Sequence, residues 1–341
     1  MLPFFYDKNE TKFMRVAING FGRIGRTLMR VIKQYPEIEI VAINDLAKPD
    51  NLAHLLKYDS IHGRFPADIE IDSNQLIVDG KLIDVYDHEN PETLPWKELK
   101  IDVVIESTGK FKTSKSASAH LKAGANKVII SAPSDDLETP MVVIGVNDET
   151  INENDKIISN ASCTTNSAAP LLKVLSKYWT IEQAYITTVH SYTTDQRLHD
   201  APHKDYRRGR AGAHSIVPTT TGAAKAITRI FPSLDGRIGG AGIRVPVPNG
   251  SLTDLSCIIR EETSISKINE AFKEASDNEL NGILEYTKDP IVSIDIVGNP
   301  HSCIYDSKLT SVLGNMVKVV GWYDNEWGYS NRLAELIRKV G

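Results

Sequence analysis

The sequence predicts an α/β protein of two domains, one built on a parallel sheet and the other an α+β domain with a largely antiparallel sheet. At 341 residues the chain is longer than one hydrophobic core usually serves. In its first half, short apolar runs alternate with helical patterns, as βαβ units require. A glycine-rich turn follows the first of these runs, and after residue 163 the strand-like runs indicate antiparallel pairing.

The first element is a strand over residues 15–19 that runs into the motif G-x-G-x-x-G and then into a helical pattern. In a Rossmann-type domain the first glycine permits the tight turn, the second lets the backbone approach a pyrophosphate, and the third lets the helix pack on its strand. The helix N-terminus then faces the phosphate charge. We therefore expect a dinucleotide to contact the residues of this turn, namely Gly20, Gly22, Arg23, Ile24 and Gly25.

The second strand, over residues 38–44, ends in Asp45, twenty positions after Gly25. An acidic residue at this point hydrogen-bonds a ribose 2′-hydroxyl and repels a 2′-phosphate. The glycine triplet alone is a weak signal, but this context makes it a strong one. The predicted cofactor is NAD rather than NADP.

Two further runs, 102–106 and 127–130, are rich in β-branched residues and lack alternation, which is typical of parallel strands covered on both faces. Both end in small polar residues, including Ser131, at the sheet edge where ligands bind. The stretch 69–85 is instead predicted to be an antiparallel excursion, with a hairpin turn at 79–80.

Cys163 is the candidate nucleophile, because it lies between a strand-like run over 156–160 and a helical pattern over 170–175. The N–H groups and the positive end of a helix dipole favour a thiolate. A free thiol has a pKa of about 8.5, so a base or cation must also be near. His190, at the end of an apolar run, is the candidate base. The alternative is that Cys163 is a small core residue.

Composition excludes several classes of protein. A formal net charge of −5 gives no electrostatic case for nucleic acid, and the basic cluster 204–210 is interpreted as a solvated loop or a subunit contact. No apolar run approaches the ~18 residues of a membrane span. The three widely spaced cysteines favour a reducing, cytoplasmic compartment over disulfides or a metal site.

In the second half, runs at 216–217, 244–247 and 252–259 predict strands, and a helix over 266–272 follows the start signal Thr263-Ser264. Residues 1–13 precede a second methionine and lack the features of a secretory signal. They are an N-terminal extension of uncertain origin and are not included in either predicted domain.

Four separated segments resemble glyceraldehyde-3-phosphate dehydrogenase of the phosphorylating, type I kind, in that family's order and over nearly all of residues 14–341. They are 18–25, 162–166, 219–225 and 322–329. The resemblance implies an NAD-binding domain over 14–162, a catalytic domain over 163–329, and a C-terminal helix, 330–341, that packs back onto the first domain.

The implied activity is the phosphorylating oxidation of glyceraldehyde 3-phosphate to 1,3-bisphosphoglycerate with NAD, in glycolysis and gluconeogenesis. Cys163 would attack the aldehyde, and His190 would hold the thiolate and remove the hydroxyl proton of the thiohemiacetal. Hydride transfer then leaves a thioester, which inorganic phosphate attacks. A thioester suits this step because it keeps the acyl group reactive.

The resemblance also implies the binding residues. The anion contacts at one phosphate position are Ser162, Thr164, Thr221 and Gly222, and those at the other are Thr193 and Arg244. Asn325 would hold the nicotinamide carboxamide and Tyr329 would pack near the ring. Each has an alternative: the threonines at 219–221 could cap a helix, Arg244 could belong to a structural ion pair, and Asn325 could be a turn residue.

The implied assembly is a homotetramer, with residues 194–215 as an extended loop near a neighbour's cofactor site. The chain departs from the family pattern at Ser167, where many members carry a second cysteine, and at Ala201, which we expect to loosen the NAD preference without reversing it. Three alternatives remain: an erythrose-4-phosphate dehydrogenase, a non-catalytic dinucleotide-binding protein, and a cysteine hydrolase. The last leaves the glycine motif unexplained.

Overall fold

The computed structural model describes residues 13–341, and the predicted extension lies outside this range except for Phe13. The described helices are α1 (Arg23–Val31), α2 (Pro49–Lys57), α3 (Ser114–Lys122), α4 (Cys163–Tyr178), α5 (Ala223–Ile230), α6 (Ile265–Asp277) and α7 (Trp327–Val340). The strands of the first half are β1 (Met14–Asn19), β2 (Ile38–Asn44), β3 (Tyr58–Asp59), β4 (Gly63–Arg64), β5 (Ile69–Asp72), β6 (Gln75–Val78), β7 (Lys81–Tyr86), β8 (Val103–Glu106), β9 (Lys127–Ile130) and β10 (Ile157–Ser159). Those of the second half are β11 (Ile181–Ser191), β12 (Val217–Thr219), β13 (Ile238–Val245), β14 (Ser251–Ile259), β15 (Leu284–Thr287), β16 (Cys303–Asp306), β17 (Ser311–Leu313) and β18 (Met316–Tyr323).

The first sheet has the strand order β10-β9-β8-β1-β2-β7-β6-β5. Its strands from β10 to β7 pair in parallel, which confirms the predicted parallel sheet. The excursion over 69–85 is antiparallel, as predicted, because β6 pairs with both β5 and β7 in that sense. Asp79 and Gly80, both with positive φ, make the turn between β6 and β7.

Helices cover both faces of the first sheet. On one face, α1 and α7 share a hydrophobic core with β1 and β2, in which Leu28 packs with Leu333 and Ile337. On the other face, Trp96 and Ala117 pack against the alternate residues of β1 and β8. Strands buried on both sides in this way explain the continuous apolar runs in the sequence.

The second sheet has the order β12-β13-β11-β14-β18-β16-β15, with β17 paired to β18. It is mixed rather than wholly antiparallel, because β11 pairs in parallel with β13, and β15 in parallel with β16. The other pairs are antiparallel, so the predicted largely antiparallel sheet is confirmed. Its core lies under α4, α5 and α6, with Leu171, Leu255 and Phe272 at its centre.

No helix within residues 13–341 combines the length and the apolar character that crossing a membrane requires.

Candidate active site

Cys163 is the first residue of α4, which confirms the predicted position at a helix N-terminus. The helix starts here because Ser162 caps it: the Ser162 hydroxyl accepts a hydrogen bond from the N–H of Thr165 at 3.0 Å. Ala161, just before the cap, holds a positive φ of 54° and turns the chain sharply out of β10. The Cys163 thiol therefore lies where the first N–H groups of the helix are unpaired.

The sheet brings His190 to Cys163. His190 lies next to the end of β11, and its Nε2 is 3.5 Å from the Cys163 Sγ. The ring is buried, and its Nδ1 donates to the carbonyl of the next residue, Ser191, at 2.7 Å. With the proton held at Nδ1, the lone pair of Nε2 faces the thiol, which is the arrangement that a general base needs.

Arg244 reaches the same point from the neighbouring strand, since β13 pairs with β11 so that Arg244 lies opposite His190. Its Nη1 donates to the Ser191 carbonyl at 2.9 Å and lies 2.6 Å from the His190 Nδ1, so two donors share one acceptor. Burial and the Arg244 charge lower the pKa of His190 to about 3. The imidazole is accordingly neutral at pH 7 while Cys163 carries its proton, and its Nε2 keeps a free lone pair.

Two opposing effects act on the Cys163 thiol. Burial has the larger effect and raises the pKa of the thiol, while the Arg244 charge and hydrogen bonds from the hydroxyl and N–H of Thr164 offset only part of that rise. Because a thiolate on Cys163 and a proton on His190 stabilise each other at this distance, the two groups titrate as a pair.

The pocket around the Cys163 thiol is lined by hydroxyl, backbone and guanidinium groups. It contains most of the residues predicted to bind phosphate, namely Ser162, Thr164, Thr221, Gly222 and Arg244. Thr193 lies just beyond the end of β11 and is not among the lining residues. The N-cap of α5 is Gly222, with no side-chain capping hydrogen bond, so the capping alternative for the threonines is not supported. The Thr221 hydroxyl does accept from the N–H of Ala223, the first residue of α5, at 3.2 Å.

Arg208, in the basic cluster interpreted as a solvated loop or a subunit contact, also lines this pocket, a position that the sequence did not predict. Its guanidinium donates to the Thr219 hydroxyl at 2.9 Å and pairs with Asp195. The loop thus adds a second cation to the one predicted in Arg244. Local sequence gave no signal that separated Arg208 from the other basic residues around it.

Tyr323 was also missed. Its buried hydroxyl joins the Thr164 hydroxyl at 2.9 Å and the Thr188 hydroxyl at 2.8 Å, and its ring meets the His190 ring edge-on at a centroid distance of 6.0 Å. Tyr323 therefore fixes the first turn of α4 against β11. The available signal was its place in the segment 322–329, which carries the family resemblance.

A second pocket lies at the carboxyl edge of the first sheet, over the glycine turn. Gly20 has a φ of +93°, and a Cβ there would lie 2.7 Å from the N of Thr108. A Cβ on Gly25 would lie 2.6 Å from the Gly20 carbonyl oxygen, whereas one on Gly22 would meet no atom within 4 Å. The turn is therefore packed beneath Gly20 and Gly25 and open above Gly22, which fits a pyrophosphate at the α1 N-terminus.

Asp45 lines the same pocket, directly after β2. One carboxylate oxygen accepts from the N–H of Phe21 at 2.8 Å and the other from that of Ala47 at 3.0 Å. The glycine turn thus holds the carboxylate at the position predicted for a ribose contact. Ser131, which follows β9, donates its N–H to the Glu106 carbonyl and does not line this pocket.

The Arg23 side chain is engaged elsewhere. Its guanidinium donates to Asp59 at 2.5 Å and forms a two-pronged contact with Glu326, whose carboxylate also meets the His62 Nε2 at 3.0 Å. Ile24 packs on the core of the first sheet. For both residues it is the backbone N–H at the start of α1, and not the side chain, that remains for a cofactor.

Asn325 is fixed by three donors to its Oδ1: the hydroxyls of Ser191 and Ser251, each at 2.9 Å, and the N–H of Gly250 at 3.2 Å. These three hydrogen bonds fix the orientation of the Asn325 amide group, which a residue needed only for a turn would not require. Tyr329 is buried and donates to the Ala161 carbonyl at 3.1 Å, beside Cys163.

Fold and site together define a dinucleotide-binding oxidoreductase with a cysteine and histidine pair at the start of α4. Two family models match the chain: "Glyceraldehyde 3-phosphate dehydrogenase, NAD binding domain" over residues 14–114, and "Glyceraldehyde 3-phosphate dehydrogenase, C-terminal domain" over residues 162–325.

Among characterised relatives, the glyceraldehyde-3-phosphate dehydrogenase of Mycobacterium avium is 53% identical over 337 residues, and glyceraldehyde-3-phosphate dehydrogenase 2 of Streptomyces avermitilis is 52% identical over 331 residues. Each match covers 96% of this chain and 98% of the relative. The chain belongs to the glyceraldehyde-3-phosphate dehydrogenase family.

Proposed function

We propose that this protein oxidises glyceraldehyde 3-phosphate to 1,3-bisphosphoglycerate with NAD and inorganic phosphate, as a step of glycolysis and gluconeogenesis. The observation that carries the proposal is the Cys163 thiol at 3.5 Å from the His190 Nε2, inside a pocket that also holds Arg208 and Arg244. A nucleophile, a base and two cations in one pocket suit an aldehyde that carries a phosphate group.

The first step uses the two residues of the pair. His190 Nε2 takes the thiol proton, the Cys163 sulfur attacks the aldehyde carbon, and the resulting alkoxide takes the proton back from His190 to form a thiohemiacetal with a neutral His190. The neighbouring N–H groups of α4 face the developing oxyanion. NAD, when bound, accepts the hydride. His190 removes the hydroxyl proton as the carbon is oxidised, and a thioester on Cys163 results.

In the second step, a phosphate oxygen attacks the thioester carbon and the Cys163 thiolate leaves, releasing the acyl phosphate. Arg208, Arg244 and the hydroxyls of Thr220 and Thr221 are the donors for the two phosphate groups involved. For the dinucleotide, the open face above Gly22 fits the pyrophosphate. The amide of Asn325, fixed by its three donors, fits the nicotinamide carboxamide.

The test measures reduced nicotinamide with glyceraldehyde 3-phosphate and with erythrose 4-phosphate, using NAD and NADP, each with and without inorganic phosphate. Phosphate-dependent reduction of NAD that prefers the triose supports the proposal. Preference for the tetrose would assign the sister activity, and NAD binding without turnover would favour the non-catalytic alternative.

Thiol chemistry supplies a matched control. Cys257 and Cys303 are buried, and burial raises the pKa of both to about 12, whereas Cys163 lines a pocket beside the His190 base. Iodoacetamide near neutral pH should therefore modify Cys163 alone. Loss of activity in step with one alkylated thiol supports a Cys163 nucleophile. The Cys163→Ser variant should bind NAD without turnover, while Cys257→Ala should keep its activity.

The proposal extends to assembly and location. Outward residues of the second sheet remain uncovered in one chain, and Tyr185 on β11 is 50% exposed. In the loop predicted to reach a neighbour, Leu198 and Tyr206 are 75% and 90% exposed. Both observations support a homotetramer, which analytical ultracentrifugation would test. The three free thiols support a cytoplasmic location.

The division into 14–162 and 163–329 belongs to the same proposal. Its support is that α7 packs against α1, which would return the end of the chain to the NAD-binding domain.

A further inference from the structure

Glu106 is a buried carboxylate that takes no part in the steps above. It is the last residue of β8, is 2% exposed, and lies at the carboxyl edge of the first sheet beneath the dinucleotide pocket. One oxygen accepts from the N–H of Thr108 at 2.9 Å and from its hydroxyl at 2.5 Å. The other accepts from the Asn19 Nδ2 at 2.5 Å and the His120 Nε2 at 3.1 Å. Within residues 13–341, no lysine or arginine pairs with it.

The direction of the His120 hydrogen bond is fixed from the far side. The indole of Trp96 donates from Nε1 to the His120 Nδ1 at 3.0 Å, and an indole N–H can only donate. The neutral His120 ring must therefore carry its proton on Nε2, where it points at Glu106.

The direction of the Asn19 hydrogen bond is fixed in the same way. The backbone N–H of His88 donates to the Asn44 Oδ1 at 2.9 Å, so the Asn44 Nδ2 is the donor to the Asn19 Oδ1 at 2.7 Å. The Nδ2 of Asn19 is then the group that faces Glu106. Both side-chain partners of this oxygen are donors.

All the partners of Glu106 are donors, so this position requires a side chain with two hydrogen-bond acceptors, as a carboxylate has. Glutamine has the same shape, but its NH2 would face either the N–H of Thr108 or the paired donors of Asn19 and His120. An amide could avoid this conflict only if His120 gave up its bond to Trp96 or if the turn at Thr108 moved.

The hydrogen-bond network around Glu106 also supports one wall of the dinucleotide pocket. Asn19, Asn44, His88 and Thr108 all line the dinucleotide pocket, and they come from four different segments of the chain. Thr108 lies directly under Gly20, where a Cβ would have no room. Glu106 thus links Asn19, the residue before the glycine turn, to Thr108, whose backbone packs against Gly20 from below.

We propose that Glu106 is a positioning residue for NAD: its carboxylate sets the glycine turn and the wall of the adenosine and pyrophosphate part of the pocket. This rests on the NAD-binding part of the proposed function and on none of its chemistry. A positioning role here should affect binding of the ADP-ribose half of the cofactor and spare the reaction at Cys163.

The test is the Glu106→Gln variant of the full chain, with Kd for NAD and for ADP-ribose measured by calorimetry. We expect both Kd values to rise about tenfold, equivalent to about 1.4 kcal/mol, with kcat at saturating NAD within twofold of wild type. The matched control is Asp306→Asn. Asp306 is a 2% exposed carboxylate in the second sheet that accepts from the Trp322 indole, and it lines neither pocket.

Two results would overturn the proposal: Kd values in Glu106→Gln that stay within twofold of wild type, or equal weakening in Asp306→Asn. If Glu106→Gln does not fold, Trp96→Phe decides, because it removes the remote donor to His120 while leaving Glu106 and the pocket lining in place. A rise of about threefold in both Kd values supports the network, and no rise refutes it. Direct binding needs no turnover, so a chain that binds NAD without oxidising the aldehyde would refute the proposed function and leave this test intact.

Discussion

The glycine turn allows a sharp comparison between two substitutions three residues apart. Gly25→Ala places a Cβ 2.6 Å from the Gly20 carbonyl oxygen and 3.1 Å from the Ile18 side chain, while Gly22→Ala places one in open space. Neither residue has a positive φ, so backbone strain is not involved. Gly25→Ala should therefore lower the stability of the fold, and Gly22→Ala should weaken binding of the cofactor.

Ordinary contact with a Cβ begins at about 3.4 Å, so in Gly25→Ala the Gly20 carbonyl must move by several tenths of an ångström. Overpacking of this kind costs about 1–3 kcal/mol, and the higher helix propensity of alanine offsets about 1 kcal/mol. A net loss of about 1 kcal/mol lowers Tm by about 2–4 °C for a domain of this size. For Gly22→Ala, only a small loss at the N-cap is expected.

The assay is thermal unfolding with and without NAD. At a hundredfold excess over Kd, a ligand stabilises by about 2.7 kcal/mol, and a tenfold weaker Kd reduces this to about 1.4 kcal/mol. Gly22→Ala should therefore lose about half of the NAD-dependent stabilisation with little change in the free protein. If Gly22→Ala binds NAD within twofold of wild type, the pyrophosphate does not lie over Gly22 and the reasoning fails.

Three further outcomes are expected. Replacing Arg244 with leucine should lower kcat/KM for glyceraldehyde 3-phosphate by about 10²–10³-fold, because charge-assisted bonds to phosphate are lost. In the same variant the pKa of His190 should rise, because the nearby cation is removed, and the pH profile of Cys163 alkylation would show this rise. Asp45→Ala should shift the ratio of kcat/KM for NADP over NAD upward by about tenfold, and an unchanged ratio would contradict the ribose assignment. Burial raises the pKa of Asp59, but the hydrogen bond from Arg23 and two backbone N–H groups outweigh it and lower the pKa to about 2. Asp59 thus contributes about 2 kcal/mol above pH ~4, which is lost as the pH falls towards 2; Asp59→Asn should flatten this part of the acid unfolding curve.

Short-range patterns made the glycine turn and the pocket beside Asp45 predictable. The glycine turn and Asp45 lie within one βα unit and the start of the next strand, and each glycine has a local steric reason. The N-terminal position of Cys163 followed in the same way from a strand end and a helix start. These features depend on neighbours in the sequence, so they could be identified before any tertiary contact was known.

The long-range contacts could not be read from the chain. Arg23 was expected at the cofactor, yet its side chain pairs with Glu326, which lies 303 positions away. Arg208 belongs to a run of basic residues that share one local environment in the sequence, and only the folding of its loop over β12 brings it to the pocket around Cys163. Tyr323 reaches Thr164 and Thr188 through the pairing of β14 with β18 and β11.

By itself the sequence determined the α/β class, the dinucleotide motif, the candidate nucleophile and its candidate base, because residue type, spacing and local periodicity are properties of the chain. The tertiary structure decided which groups share a pocket and which way each hydrogen bond points. The carboxylate of Glu106 illustrates this: it reads as the end of an apolar strand, and its role emerges only where Asn19, Thr108 and His120 converge on it. Such convergence depends on strand order and register, which no local pattern encodes.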